Sequence, residues 1–380
     1  MDLTVIIVNY NARYFLEQCL YSLDRALKNL DAEIIIVDNH SSDGSPDWIR
    51  SRFPPIHYIT NNENLGFARA NNQALTMARG RMVLFLNPDT IVGEDCIRVC
   101  LRFAEEEKNI GAIGLRMIDG QGKFLPESKR GFPVPATAFY KLFGLARIFP
   151  SSTHFNSYYQ TAVQETDNHP IDVVAGAFMM VNRSLLESLG GFDERFFMYG
   201  EDIDLSYRIA LNGFTNYYLG HQTIIHFKGE STLKGPAYLD QFYKAMEQFL
   251  DKHFSGRYST AQLRVIRSGI RLRKMTAHFF ARKAIARSRP PGIISSFLIG
   301  DKNSIAKLST RLIAHGRQAV DKISEAGEII FCEGKEYPFS RIIGFMEDHQ
   351  GENFFRIHAE GSESIVGSDS RERSGLTLAL

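Results

Sequence analysis

Carboxylates that could hold a phosphate-bound cation or accept a proton stand at two separated places in the sequence. Asp89 ends the Asn-Pro-Asp tripeptide at 87–89, where it could bind a hard divalent cation that bridges two phosphates. A plain Asn-Pro turn is the alternative. Glu201 and Asp202 precede Asp204 at a predicted helix start. The helix dipole favours acids there, and a carboxylate beyond that need could act as a general base.

Other polar residues could contact a nucleotide. Asp38 follows the apolar run 33–37 and could accept the imide N–H of uracil or thymine, although a turn or N-cap would also explain it. His226 could be a second metal ligand, but a lone histidine is more often structural. The asparagine-rich stretch 61–67 predicts a loop entering a helix, whose first N–H groups could contact a ligand. Ordinary turn chemistry is the alternative.

The elements that position these residues follow an α/β pattern. Short β-branched apolar runs predict buried strands at 3–8, 33–37, 56–60 and 82–86, and strand character returns at 172–181. Helical spacing predicts helices at 14–27, 64–79, 94–107, 184–189, about 202–212 and 236–253. Alternating strands and helices indicate a mostly parallel sheet, which binds ligands beyond the carboxyl ends of its strands. The polar clusters at Asp38 and Asp89 fall at such ends.

Composition excludes several classes of protein. The chain has 380 residues, 44% hydrophobic residues and a net charge of +1, which favours a globular protein with two domains or one large domain and an appendage. No zinc-like spacing joins the four scattered cysteines, and a reducing cytoplasm fits them. The N-terminus lacks the basic region of a signal peptide, and no uninterrupted apolar stretch of about 18 residues predicts a membrane-spanning helix.

The second half of the chain changes character. Residues 120–170 lack clear periodicity and suit an acceptor-side loop. Residues 254–289 contain ten Lys or Arg and no acid, which favours a basic helix lying on an anionic membrane. A domain-packing helix and an RNA-binding arm are alternatives. We therefore predict domains at 1–253 and 293–380, joined by a basic helix and linker at 254–292.

The tail predicts a small β-α-β-α-β unit, with strands at 293–299, 328–331 and 353–358 and helices at 302–316 and 339–347. Residues 376–380 are a candidate fourth strand. Because no Gly-x-Gly-x-x-Gly follows the first strand, dinucleotide binding is poorly supported. We expect a regulatory or assembly domain resembling half a Rossmann-type unit.

The order of the polar blocks resembles that of family 2 glycosyltransferases with the GT-A fold, in particular the rhamnosyltransferase-like branch. The resemblance runs from about Leu3 to about Leu250 and rests on blocks at 5–11, 37–45, 64–72, 85–89, 190–194, 200–205 and 225–226. It implies a mostly parallel sheet flanked by helices. It is more specific for the family than for the sugar that is transferred.

The resemblance also implies roles for individual residues. Asp202, or in second place Glu201, would be the general base. Asp89 and His226 would bind Mg²⁺ or Mn²⁺, although Asn87 departs from the family's Asp-x-Asp motif. The residues implied at the nucleotide-sugar site are Asn9, Tyr10, Asp38, Asn64, Gly66, Asn72 and Asn87.

The resemblance predicts an inverting transfer of rhamnose from dTDP-rhamnose to a polysaccharide or a polyprenyl-diphosphate-linked saccharide. UDP-hexoses are the alternative donors. We expect a cytoplasmic protein that binds the inner face of the cytoplasmic membrane through 254–289 and does not bind nucleic acid, and the oligomeric state is left open.

Three other classes of protein remain as alternatives. A glycoside hydrolase also uses paired carboxylates, but it would leave Asp38 and the tripeptide 87–89 without a role. A nucleotidyltransferase usually has a Gly-rich basic loop after its first strand, where this chain has Asn9-Tyr10-Asn11. A non-catalytic sugar-nucleotide-binding module recruited to the membrane is the third alternative, and the presence of Asp89, Asp202 and His226 argues against it.

Overall fold

The fold is taken from a computed structural model that describes residues 1–133, 160, 163–228, 236–281, 294–351, 353–369 and 375–380. Most of the predicted acceptor-side loop lies outside these residues. So do the end of the basic segment, at 282–289, and the linker that follows it.

The first sheet has nine strands within the described residues: β1 Leu3–Asn9, β2 Ala32–Asp38, β3 His57–Thr60, β4 Met82–Leu86, β5 Thr90–Ile91, β6 Ile110–Ile118, β7 Asn168–Ile171, β8 Phe178–Asn182 and β9 Thr215–His226. Their order is β3-β2-β1-β4-β8-β6-β9-β5, and β7 pairs with β9. Strands β1 to β4 are parallel to one another, whereas β8 is antiparallel to both of its neighbours.

Helices cover both faces of this sheet. They are α1 Arg13–Ala26, α2 Ser45–Arg52, α3 Phe67–Leu75, α4 Cys96–Glu106, α5 Arg183–Leu189, α6 Glu201–Leu211, α7 Pro236–Phe254 and α8 Thr260–Ala281. Alternate residues of one strand enter different cores: Ile7 packs in the cluster with α1 and α4, and Ile6 packs in the cluster with α3 and α6. Burial on both faces explains the nearly continuous apolar runs of these strands. The predicted α/β fold of the GT-A type is confirmed.

Strand register brings the carboxyl ends of the parallel strands together. Asn9 is paired with Asp38, and Asp38 is paired with Thr60. Strand β4 ends beside β1, with Leu86 opposite Ile7. The polar segments that follow β1, β2 and β4 therefore meet at one edge of the sheet, as the sequence predicts.

Several predicted elements have different bounds in the structure. The strand predicted at 172–181 is wrong over its first half, because the sheet pairing begins only at Phe178 and Gly176 instead contacts α6. Helix α3 begins after Gly66, whose φ of +82° is not helical. Strands β6 and β9 were not predicted; both lie in the sheet interior and are paired in parallel.

The second sheet consists, in the described residues, of β10 Ile294–Gly300, β11 Arg317–Ala319, β12 Glu328–Cys332, β13 Phe355–His358, β14 Ser364–Gly367 and β15 Leu376–Ala379, with α9 Lys302–Leu312 and α10 Phe339–Asp348. Its strand order is β11-β10-β12-β13-β14-β15. The candidate strand at 376–380 is present as β15. The helix predicted to reach residue 316 ends at Leu312 and continues as a 3₁₀ turn, Ile313–His315.

The two sheets share a hydrophobic cluster. Phe15, Ile91 and Phe227 of the first sheet unit pack in the same cluster as Phe331 and Phe339 of the second. Helix α1 therefore has one face on the first sheet and another on the tail. The predicted domain boundaries remain a prediction, but the described parts of the two units are in extensive contact.

A membrane-crossing helix is not found among the described residues: none of their helices is both long and apolar enough for that role.

Candidate functional site

The ends of β1 and β2 form a buried hydrogen-bonded cluster around Asp38. Its Oδ2 accepts hydrogen bonds from Asn9 Nδ2 at 2.7 Å and from Tyr58 Oη at 3.0 Å. Its Oδ1 accepts the backbone N–H of Ser41 at 2.8 Å. Asn9 and Asp38 are both fully buried, so the carboxylate is fixed in position before any ligand binds.

This cluster contains a hydrogen-bond acceptor that has no partner in the protein. Burial, together with the neighbouring Asp38 carboxylate, raises the pKa of Tyr58, so its hydroxyl remains a hydrogen-bond donor to Asp38. Asn9 Oδ1 is buried without a hydrogen-bond partner. A buried acceptor without a partner costs free energy, which is typical of a site that a ligand completes. Tyr10 follows as a half-buried residue.

The loop before α3 is held against the loop before α6. Asn64 Oδ1 accepts the N–H of Gly66 at 2.9 Å, and Phe67 N–H donates to Phe197 O at 2.8 Å. A Cβ atom on Gly66 would lie 2.4 Å from that same carbonyl oxygen. Glycine is therefore required for both the backbone angle and the close approach.

Asn72 has a different position from the other predicted nucleotide-sugar residues. Its Nδ2 donates to Phe192 O at 2.8 Å, and its Oδ1 accepts Phe192 N–H at 2.8 Å. Both ends of the amide therefore hold the Gly-Gly-Phe turn at 190–192. The geometry gives Asn72 a role in positioning that turn.

Asn87, Asp89 and His226 come together across β5 and β9. His226 Nε2 lies 3.3 Å from Asn87 Nδ2 and 3.4 Å from Asp89 Oδ1. Burial alone would raise the pKa of Asp89, but the neighbouring His226 and backbone N–H donors hold the pKa of this carboxyl below its ordinary value. Asp89 is therefore a buried carboxylate in its charged form.

The chemistry of these residues fits a divalent cation that is shared with a substrate. No group of three His, Cys, Asp or Glu side chains able to hold a metal occurs in the described part of the chain. Asp89 and His226 are the residues that would hold such a cation. His226 Nδ1 is buried without a hydrogen-bond partner.

Residues 176–177 connect this group to the first turn of α6. Asn87 N–H donates to Ala177 O at 3.0 Å, and Gly176 N–H donates to Asp202 Oδ2 at 3.2 Å. Two hydrogen bonds through residues 176–177 therefore connect Asp202 to the Asn-Pro-Asp tripeptide, although Asp202 lies 113 positions after Asp89 in the sequence.

The adjacent carboxyls of α6 have contrasting environments. Asp202 forms an ion pair with Arg130, at 2.5 Å between Oδ2 and Nη2. Glu201 is buried, its Oε2 has no hydrogen-bond partner, and burial, with the Asp202 charge nearby, raises its pKa to about 8. The pair thus consists of an ion-paired carboxylate next to a carboxylic acid that is protonated at neutral pH.

Asp204 belongs to a structural ion network. Its fully buried carboxylate contacts Arg208 Nε at 2.8 Å, Lys252 Nζ at 2.6 Å and His253 Nε2 at 2.7 Å. These contacts join α6 to α7. Asp204 is therefore engaged in the packing of α6 against α7.

Sequence reasoning missed two residues of this site, Tyr58 and Arg130. Tyr58 was hidden in a short strand, where an aromatic residue is ordinary. Arg130 lies in the stretch without periodicity, and only its long-range contact with α6 reveals it. The loop at 64–66 contacts the loop before α6, and it also contacts the segment that follows Asp38, where Asn39 Nδ2 donates to Gly66 O at 3.2 Å.

Comparison with known proteins identifies relatives of this chain. The sequence profile described as "Glycosyl transferase family 2" matches residues 4–190. An N-acetylglucosaminyl-diphospho-decaprenol L-rhamnosyltransferase of Mycobacterium tuberculosis is 28% identical over 300 residues, which cover 76% of this chain and 95% of the relative. Rhamnosyltransferase WbbL of Escherichia coli is 30% identical over 59% of this chain and 82% of its own length.

Among solved structures, the mannosyltransferase PcManGT from Pyrobaculum calidifontis, in complex with GDP-Man and Mn²⁺, is similar with a TM-score of 0.48. It is 19% identical and covers 82% of this chain and 80% of its own.

Proposed function

Since the chain belongs to glycosyl transferase family 2 and is a rhamnosyltransferase-like glycosyltransferase, we propose that it transfers rhamnose from dTDP-rhamnose with inversion and with the help of a divalent cation. The observation that carries this proposal is the contact chain from Asn87 through residues 176–177 to Asp202. It joins a candidate metal motif to a candidate base at one edge of the sheet. The names of two relatives support rhamnose as the sugar.

The nucleotide would bind at the ends of β1 and β2. Asp38 and Asn9 would accept the imide N–H of thymine or uracil, and Tyr10 would line the same pocket. The fixed contacts of Asp38 with Asn9 and Tyr58 support this role, because a preorganised acceptor loses little freedom when a base binds. Asn64, Gly66 and Asn87 would border the sugar and the diphosphate.

The diphosphate would lie over Asn87, Asp89 and His226. Asp89 and His226 would hold Mg²⁺ or Mn²⁺, which offsets negative charge on the departing nucleoside diphosphate when it is bound. Asp89 is buried and carries its charge, which suits a cation ligand. The charge of the diphosphate would therefore be neutralised chiefly from this side of the site.

The general base would be Asp202. It would take the proton of an acceptor hydroxyl while that oxygen attacks the anomeric carbon, and the bond from this carbon to the diphosphate oxygen would break. Attack on the face opposite the leaving group inverts the anomeric configuration without a covalent intermediate. Glu201 is the second candidate, but a carboxyl that is protonated at neutral pH is a poor base.

The acceptor would be a saccharide on a polyprenyl diphosphate or a growing polysaccharide, as the name of the mycobacterial relative suggests. Helix α8, which carries most of the described basic segment, has two different faces, and one of them packs on α7. Three of its cations pair with acids of α7: Arg267 with Asp251, Arg271 with Glu247 and Lys274 with Asp240. These pairs favour helix packing for part of the basic segment.

Another face of α8 remains exposed and apolar. Val265, Leu272 and Met275 are 60–71% exposed, and Arg264 lies on the same side. Such a face with basic neighbours suits an anionic lipid surface. Replacing these three apolar residues by serine should reduce co-sedimentation with anionic vesicles, and unchanged co-sedimentation would argue against this surface.

The test of the proposed function is calorimetric binding of dTDP, UDP, GDP and CMP, each with and without Mn²⁺. We expect dTDP to bind tightly only with the metal, and Asp89→Ala to remove that dependence. A preference for UDP would indicate that the donor is a UDP-hexose. Absence of binding by all four nucleotides would contradict the transferase proposal. If a nucleotide binds, NMR of the product made from the matching nucleotide sugar would identify the sugar and its anomeric configuration.

A further inference from the structure

The proposed base is occupied in this structure. Arg130 Nη2 lies 2.5 Å from Asp202 Oδ2, and the two side chains are only 12% and 13% exposed. The same oxygen accepts the N–H of Gly176 at 3.2 Å, and Oδ1 accepts the N–H of Ile203 at 2.8 Å. Oδ2 therefore already has two hydrogen-bond donors, and an acceptor hydroxyl that approaches this oxygen would have to displace one of them.

Arg130 is the donor that can leave. The N–H of Gly176 belongs to a backbone segment that is held by the contact of Ala177 O with Asn87 N–H and by the sheet pairing that begins at Phe178. Arg130 is also anchored through its main chain, where its carbonyl accepts Val173 N–H at 2.9 Å. Its guanidinium, however, is at the end of a side chain with several rotatable bonds. A rotation of this side chain would expose Oδ2 while the backbone stays in place.

A guanidinium leaves a carboxylate readily only for another anion. Phosphate oxygens match its fork of N–H groups and form charge-assisted hydrogen bonds to it. The anion must reach the α6 side of the site, where the acceptor hydroxyl has to approach the base. The donor diphosphate, by contrast, has Asp89 and His226 as its proposed neighbours.

We propose that Arg130 binds a phosphate group of the acceptor, and that its movement from Asp202 to this phosphate frees the base. This inference rests on the proposed function and deepens it by assigning a residue that would recognise the phosphate of the acceptor and control the base. The acceptor would be a saccharide with a phosphate or diphosphate on its reducing end. A neutral saccharide would leave the ion pair closed and would react slowly, so the ion pair would select for the charged acceptor.

Transfer kinetics test this inference with two matched acceptors, a saccharide diphosphate with a short lipid and the same saccharide as a neutral alkyl glycoside. The wild-type protein should prefer the diphosphate. Arg130→Gln should lower kcat/KM for the diphosphate by about 10- to 100-fold, with an equal or higher value for the neutral glycoside. Arg130→Lys should recover part of the preference. Arg81→Gln, which removes an exposed ion pair with Glu105, is the matched control.

Calorimetric binding of the saccharide diphosphate without donor gives an answer that does not depend on turnover. Arg130→Gln should weaken binding at least about tenfold, while Asp202→Asn should tighten it several-fold because Arg130 is released. If Arg130 instead binds the diphosphate of the donor, Arg130→Gln should weaken the binding of dTDP.

Three results would overturn the inference: an unchanged acceptor preference in an active Arg130→Gln protein, unchanged diphosphate binding, or an effect confined to dTDP. Failure of the proposed function would look different. No nucleotide would bind and no sugar would be transferred, whereas the two opposite effects on diphosphate binding would still be measurable.

Discussion

The carboxyl ends of the parallel strands have different surroundings in the two sheets. In the first sheet they lie next to buried polar atoms without hydrogen-bond partners, among them Asn9 Oδ1, Glu201 Oε2 and His226 Nδ1, and we call this the open edge. In the second sheet helix α1 contacts the segments that follow the strands, and we call this the covered edge. Gln18 of α1 donates to Ser364 O at 3.0 Å and accepts the N–H of Ala359 at 2.9 Å.

In the second sheet, the protein's own residues also occupy the place beyond the ends of β10 and β12. Neighbouring strands β10 and β12 mark the point where the strand order reverses, a place where α/β sheets often bind ligands. Asp301 there accepts backbone N–H groups of Asn303 and Ser304 and caps α9. A Cβ on Gly334 would lie 2.6 Å from the Asp301 side chain, so the two segments are in close contact.

The two edges differ in whether their buried polar atoms have hydrogen-bond partners, and this difference predicts different effects of substitution. Each buried side-chain nitrogen and oxygen described in 294–351, 353–369 and 375–380 has a hydrogen-bond partner. Unpaired polar atoms at the open edge cost free energy that a ligand can recover, whereas the paired atoms at the covered edge stabilise the fold. Substitutions at the open edge should therefore affect activity first, and those at the covered edge should affect the free energy of unfolding.

The largest effect is expected at the open edge, from Asp202→Asn. Loss of the general base should reduce kcat by about 10²- to 10⁴-fold, while donor binding stays within a few fold because Asp38 and Asp89 are unchanged. Transfer assays and calorimetry with dTDP would measure the two effects. Asp95→Asn, which alters an exposed carboxylate, should keep full activity. Normal turnover by Asp202→Asn would remove Asp202 as the base.

A smaller effect is expected at the covered edge, from Gln18→Ala. The side chain is fully buried. Its loss leaves the backbone N–H of Ala359 without this partner, whereas Ser364 O keeps its contacts with His358 and Ser362. We expect the free energy of unfolding to fall by about 1–3 kcal/mol, with little change in dTDP affinity of the folded protein. Gln318→Ala, at an exposed position of β11, should change it by less than about 0.5 kcal/mol. Equal stability of the two variants would contradict the proposed docking role of α1.

A further effect, which is seen only when the pH changes, is expected at Glu201. Its pKa is about 8 in the folded protein, above that of an unfolded glutamate, so its contribution to stability is greatest at low pH and is lost as pH rises towards 8. Glu201→Gln stays neutral and avoids this loss. Chemical unfolding should therefore show that the variant gains on the wild type by about 1 kcal/mol or more between pH 5 and pH 8. A constant difference would mean that Glu201 titrates normally.

Sequence patterns predicted the open edge because strand ends are local features. The apolar runs that end at Asp38 and at the tripeptide 87–89 located two polar segments, and the parallel register then placed them side by side. The contact between Arg130 and Asp202 joins residues 72 positions apart. Nothing in the composition around Arg130 distinguishes it from a solvent-exposed arginine.

The covered edge was also beyond sequence analysis. The periodicity of α1 predicts a buried face, but Glu17 and Gln18 are polar and suggest an exposed face there. Their burial depends on the backbone groups of residues 359–364, which lie more than 340 positions away. Polar residues that serve as partners for a distant loop have the same local pattern as solvated ones.

The hydrophobic cluster shared by the two sheets has a consequence for biosynthesis. Phe227 is next to His226 in β9, and it packs with Phe331 and Phe339, which leave the ribosome more than a hundred residues later. Domains generally fold as units during synthesis, but this cluster stays incomplete until residues 328–357 emerge. The strand that carries His226 is held by its pairing with β6, but its packing on this side is completed only after the second sheet has been made, which links maturation of the site to synthesis of that sheet.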